Sequence, residues 1–186
     1  KKPILINDLK LIIKAIDKDK IRDKALILLG FAGGFRRSEL VNIVHEDIEF
    51  VPEGVKILIK RSKTDQSGEG IFKAIPYFDN QEFCPVVTLK NYINKKLSKS
   101  IESKVFKISD KSVALIIKKY AQKAGLDSSR YSGHSLRSGF ATTAAEFGAE
   151  ERNIMAMTGH KTTQMVRRYI QEANLFKNNA LNKIKI

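Results

Sequence analysis

Three short segments put cationic or proton-carrying side chains beside turn residues: G-F-R-R-S-E-L (Gly34 to Leu40), H-S-L-R (His134 to Arg137) and G-H-K-T-T-Q-M-V-R-R-Y (Gly159 to Tyr169). These residue types suit chemistry on an anion. A planar guanidinium grips two phosphate oxygens at fixed geometry, and an imidazole moves protons near neutral pH. A tyrosine hydroxyl, with an ordinary pKa of about 10, becomes a nucleophile when its proton is taken. Taken singly, each residue has a plainer reading. One of two adjacent arginines usually lies in solvent, a lone histidine is more often a satisfied buried or capping group, and Tyr169, on a helix with Met165, reads as a core aromatic. The three segments together carry weight that none has alone.

The chain has 186 residues, with 34 Lys and Arg against 20 Asp and Glu, a net charge of +14. Such a balance favours polyanionic partners, nucleic acid first. The first hundred residues carry +6 and the rest +8, so the charge belongs to the folded body rather than to a tail. Cys84 is the single cysteine, which excludes an internal disulfide and a cysteine-based zinc site; a reducing compartment, the cytoplasm, is the expected location. The longest uncharged stretch near the start, Ala25 to Phe35, is eleven residues with three glycines, well short of the roughly 18 that cross a bilayer. Neither a phosphate loop of the form G-x-x-x-x-G-K-S/T nor an H-E-x-x-H ligand pair occurs, so no cofactor and no metal are expected.

The elements that must position these residues read as mainly helical. Leu9, Ile12, Ile13 and Ile16 recur at helical spacing behind Asn7 as a cap. Ile21 to Phe31 is apolar nearly all round, as a buried central helix is, and runs into Gly33 and Gly34, with a new helix starting near Arg37. Val55, Ile57 and Ile59 alternate with polar neighbours, as do Ile71, Lys73 and Ile75, which predicts a β-hairpin with a long, mobile tip over Arg61 to Gly70. Pro85 opens a helix carrying Val86, Leu89, Tyr92, Ile93 and Leu97, and Ser109 caps another with Val113, Ile116, Ile117, Tyr120 and Ala124. Helices follow over Leu136 to Phe147, Glu150 to Met157 and from Thr162 onward, with Gly148 and Gly159 as stops. With no repeat, linker or break in composition, residues 1–186 read as one mainly α domain with a small antiparallel β-sheet, an α+β fold.

In order and spacing the three segments resemble the catalytic domain of the tyrosine recombinases, the phage-integrase family, over essentially the whole chain. The resemblance implies the DNA breaking-rejoining fold. It places catalytic arginines at Arg36, not Arg37, and at Arg137, histidines at His134 and His160, and the nucleophile at Tyr169, nine positions after His160. Glu39 falls where the family carries a supporting acidic residue, and Lys63, in the run Ser62, Lys63, Thr64, where it carries a catalytic lysine. Transfer of a DNA phosphodiester to a side chain builds charge on the nonbridging oxygens, which Arg36 and Arg137 would clamp and His160 would hold. His134 is the candidate base or hydrogen-bond partner for Tyr169, and the Lys63 ammonium would protonate the departing 5′-oxygen. The 3′-phosphotyrosyl bond retains the energy of the broken ester, so rejoining needs no ATP, and the arginines replace a metal. Lys60, Arg61 and Lys73 on the same hairpin read as solvated charges, Arg167 and Arg168 as phosphate or solvent contacts, and His45 lies outside the motifs.

The implied function is site-specific recombination or integration on double-stranded DNA, one strand at a time through a Holliday junction, by four copies of the chain on two DNA sites. The chain opens on Lys1 in a helical pattern and reads as a piece of something longer, and the resemblance implies an N-terminal core-binding domain upstream. Ala173, Phe176, Ala180, Leu181 and Ile184 fall roughly on one helical face, and the resemblance implies that this tail docks on a neighbouring subunit. A type IB topoisomerase would use a similar residue set to relax DNA without site preference. A noncatalytic DNA-binding protein of the same fold is disfavoured by the complete set, and a basic RNA-binding module explains the charge but none of the spacing.

Overall fold

The computed structural model describes residues 1–60, 70–95, 100–177 and 179–184. The most apolar segment becomes the central helix: α2 (Ile21–Ala32) is buried from Ala25 to its end and packs against α4 (Pro85–Asn94) and α6 (Ser135–Glu146), so it needs no polar face. α1 (Ile6–Lys14) buries Leu9, Ile12 and Ile13 against α2 and α5 (Asp110–Lys123). It begins behind Leu5, which puts Asn7 inside the helix rather than at its cap. Pro85 stands in the first turn of α4, and the Ser109 hydroxyl accepts the Ser112 N–H at 3.2 Å to open α5. Leu97 lies outside the described residues.

The short α3 (Arg37–Asn42) leads into a three-stranded antiparallel sheet ordered β1 (Ile48–Val51), β2 (Gly54–Ile59), β3 (Ile71–Pro76). β2 and β3 are the expected hairpin, in a register that pairs Val55 with Ile75 and Ile57 with Lys73. Its tip, 61–69, which includes Lys63, lies outside the described residues. β1 adds a strand that periodicity does not show, because its four residues are mostly half-buried on both faces.

α7 (Glu151–Thr158) and α8 (Thr163–Asn174) close the order. Gly159 ends α7 in the left-handed region at φ 63°, where a side chain is strained. A large core joins α1 to α6 and the sheet, while Ala141, Ala145, Ile154 and Val166 form a second, small one on which Tyr169, Ile170 and Ala173 pack. α8 stops at Asn174 and a separate 3₁₀ turn covers Ala180–Lys183. The tail is therefore not one continuous helical face, and Phe176, Leu181 and Ile184 are exposed.

Candidate active site

The site is built around the turn that ends α2. Gly34 adopts φ 54°, and a methyl group there would meet Phe140 Cδ1 at 2.9 Å, so the chain can reverse here only with glycine. Two residues on, Arg36 occupies the extended position before α3, and Glu39, in the first turn of that helix, reaches back to it. Glu39 Oε2 accepts the Arg36 backbone N–H at 2.9 Å and Oε1 accepts Arg36 Nη1 at 2.6 Å. One carboxylate thus caps the helix and aims the guanidinium, whose Nη2 donates to Gly159 O at 3.3 Å. Burial opposes ionisation of Glu39, but Lys73 and Arg36 outweigh it and hold its carboxyl below the ordinary range.

Arg137, in the first turn of α6, is 2% exposed. Its Nη1 donates to Gly34 O at 3.0 Å, while Nη2 is buried with no hydrogen-bond partner. An unmet buried donor costs about 1–3 kcal/mol, more when charged, so this nitrogen is disposed to take an anionic oxygen. Burial, then the neighbouring Arg36, lower the Arg137 pKa to about 10, which leaves it charged at neutral pH. His134 stands exposed just before α6, one turn from Arg137; desolvation, then Arg137, lower its pKa.

His160 is buried, and its ring nitrogen roles follow from Thr158. The Thr158 hydroxyl donates to Ile154 O at 2.7 Å, which uses its single proton. The 2.8 Å contact between Thr158 Oγ1 and His160 Nδ1 is then Nδ1–H donating to the hydroxyl, and Nε2 of the neutral ring is an acceptor. Burial, then Arg137 and Arg36, lower the His160 pKa to about 4, so the ring is neutral until an anion arrives to favour its protonation. The half-buried Tyr169 ring lies 6.2 Å from the His160 ring. Burial raises its hydroxyl pKa against the pull of Arg137, so the phenol keeps its proton at neutral pH.

The structure thus brings Arg36, Glu39, Arg137, His160 and Tyr169 together, with His134 at the helix start beside them. Lys63 lies outside the described residues. Arg167 and Arg168 are exposed and lie near Glu151 and Glu172, at 3.3 and 3.5 Å. Two neighbours of these residues are not assigned to the site by the sequence. Thr158 orients His160, and only its place two residues earlier hints at this. Lys73 is buried rather than solvated, and its place among the inward residues of an alternating strand is the signal that outweighs its residue type. Among the described residues no group of three or more His, Cys, Asp or Glu is placed to hold a metal ion, and no helix is long and apolar enough to cross a membrane.

Two guanidiniums, one with an unmet donor, beside a histidine and a tyrosine form a cluster with the donors to take an anionic oxygen and a hydroxyl close by. The chain belongs to the phage integrase family, whose sequence pattern matches residues 4–175. It is 47% identical, over 99% of its length, to an integrase/recombinase XerD homolog of Selenomonas ruminantium, and 34% identical, over 95%, to tyrosine recombinase XerA of Pyrococcus furiosus. It spans 58% and 63% of those relatives. The fold matches the crystal structure of XerA recombinase at a TM-score of 0.75 and 20% identity, over all of this chain and 65% of that one. It also matches the XerH recombinase on its palindromic difH substrate at 0.71 and 17%, over 96% of this chain and 54% of that one.

Proposed function

We propose that the chain is the catalytic part of a site-specific DNA recombinase that cuts and rejoins double-stranded DNA through Tyr169. The observation that carries this reading is the buried, unpartnered Arg137 Nη2 beside the Glu39-held Arg36 guanidinium, with the Tyr169 ring against His160. A scissile phosphate would take Nη2 of Arg137 and the Arg36 fork on its nonbridging oxygens, so charge developing in the transition state meets donors already in place. The Tyr169 oxygen attacks phosphorus as its proton passes to His134 or to Nε2 of His160, the 3′-phosphotyrosyl bond forms, and the 5′-oxygen leaves with a proton from Lys63. Attack by the 5′-hydroxyl of a partner strand reverses these steps and frees Tyr169, with no other energy source. The +14 charge supplies a salt-sensitive grip on the backbone. In this reading base contacts come from a domain outside residues 1–186, and four copies act on two DNA sites.

The test is covalent trapping on labelled, nicked duplexes drawn from a random library. A denaturation-resistant protein–DNA adduct that disappears in Tyr169→Phe supports the reading. No adduct from this chain, and none from a chain of the relatives' full length, rejects it in favour of a noncatalytic DNA-binding protein.

A further inference from the structure

β3 departs from its own pattern at Lys73. Its inward positions are Ile71, Lys73 and Ile75, so a lysine holds a core position at 4% exposure. A buried ammonium is costly unless it is paired and hydrogen-bonded, and an aliphatic residue would fill the position without that cost. The contacts of Lys73 converge on the turn and helix that present Arg36. Its Nζ donates to Gly33 O at 2.8 Å, stands 3.6 Å from Glu39 Oε2 and lies 4.4 Å from the centre of the Phe35 ring. Gly34 O, the next carbonyl of the same turn, receives Arg137, and the other Glu39 oxygen receives Arg36.

We propose that Lys73 is a positioning residue for phosphodiester cleavage: its ammonium fixes the turn at residues 33–35 and the Glu39 carboxylate, and through them the guanidiniums of Arg36 and Arg137. The proposal rests on the recombinase reading of the site. Lys73 acts through Gly33 and Glu39 and not on the phosphate itself, and it ties β3, which leads back to the hairpin tip, to the arginine pair.

The charged and titratable groups around Lys73 are Glu39 and Arg36 on and before α3, Arg137 on α6 and His160 after α7. Burial lowers its pKa, Glu39 resists, and Arg137 and Arg36 add to the lowering, which leaves it at about 8. Two effects of opposite sign follow. The folded pKa lies below the unfolded value of 10.5, so the unfolded chain binds more protons and stability rises with pH from about 8 to 10.5. Positioning, in contrast, weakens as the ammonium is lost over the same range. A lysine with only a structural role produces the first effect alone.

The experiment compares the wild-type full chain with Lys73→Met in single-turnover cleavage of nicked duplexes selected by wild-type trapping, across pH values on both sides of 8, with thermal unfolding alongside. At neutral pH we expect Lys73→Met to cleave about tenfold or more slowly while duplex affinity changes by less than about twofold. The ratio of wild-type to variant rates falls towards one as pH rises, and taking the ratio cancels the titration of Tyr169. Lys73→Arg, whose charge persists at every pH used, decides the matter where Lys73→Met fails to fold: the wild-type rate relative to Lys73→Arg falls above pH 8. Equal rates for wild type and Lys73→Met at neutral pH, or ratios that do not vary with pH, overturn the proposal. Absence of any wild-type adduct overturns the recombinase reading itself, and this inference with it.

Discussion

Replacing Glu39 by glutamine keeps the shape of the side chain and removes the negative charge from among the cations. Glu39 is 6% exposed, accepts from Arg36 at 2.9 and 2.6 Å through its two oxygens and faces the Lys73 ammonium at 3.6 Å. An amide has one acceptor oxygen where the carboxylate has two. If that oxygen stays on Arg36 Nη1, the amide NH2 faces the Arg36 N–H and Lys73, donor against donor. Removing one partner of a buried ion pair costs about 3–5 kcal/mol. Lys73 limits the damage, because with a pKa of about 8 the loss of Glu39 pushes it lower and the amine neutralises near neutral pH. The net loss therefore falls near the low end, about 3 kcal/mol, which for a chain of this size lowers Tm by about 6–12 °C.

The assay is thermal unfolding of both proteins as a function of pH. Glu39 has a folded pKa below its unfolded value of 4.5, so its contribution is present above that value and disappears as pH falls through the folded one. The gap between the two proteins should therefore close in acid. A Tm difference under about 2 °C at neutral pH, or a gap that persists in acid, refutes the reasoning.

Arg137→Lys keeps a charge but cannot bond Gly34 O and a phosphate oxygen from one rigid fork, so single-turnover cleavage should fall by about 10²–10³ with folding retained; unchanged rates would argue that the phosphate binds elsewhere. His160, with a folded pKa of about 4 against 6.5 unfolded, makes stability fall as pH drops from 6.5 towards 4. The slope of Tm against pH in that window should flatten in His160→Asn, and a wild-type slope in the variant would count against a buried, neutral ring. Tyr169→Phe should fold normally and still bind duplex DNA while forming no denaturation-resistant adduct, as read on a denaturing gel.

The helices were legible where one face or the whole segment is apolar. Ile21 to Phe31 could only be a buried rod, and the spacing of Val113, Ile116, Ile117 and Tyr120 could only be one face of α5. That the candidate residues Arg36, Arg137, His160 and Tyr169 are neighbours was legible only through their order along the chain, since no local pattern says that His160 and Arg36 meet across more than a hundred residues. Lys73 was misread because its type argued for solvent and its phase in β3 argued for the core. Phase prevailed because Gly33 O and Glu39, far away in sequence, wait at that position. β1 escaped notice because Ile48 to Val51 has no clean alternation. The tail misled in the opposite way: its apolar residues fit a helical face, but α8 ends before most of them.

The glycines in the motifs acquire a second meaning from the contacts. Arg137 of the second motif donates to Gly34 O of the first, Arg36 of the first donates to Gly159 O of the third, and Lys73 donates to Gly33 O. Each cation is thus anchored on a backbone carbonyl of a glycine turn, and both turns hold a positive φ, Gly34 at 54° and Gly159 at 63°. A carbonyl fixes a cation without neutralising it, whereas a carboxylate in each place would cancel its charge. Glu39 is the carboxylate that bonds or pairs with these groups among the described residues, so Arg36, Arg137 and Lys73 together with Glu39 retain a charge of about +2. In the proposed reaction a phosphodiester brings one negative charge, and the Tyr169 oxygen, losing its proton as it attacks, adds another. The interlocked turns therefore join three separated segments and leave the charge that the transition state, not the ground state, would match.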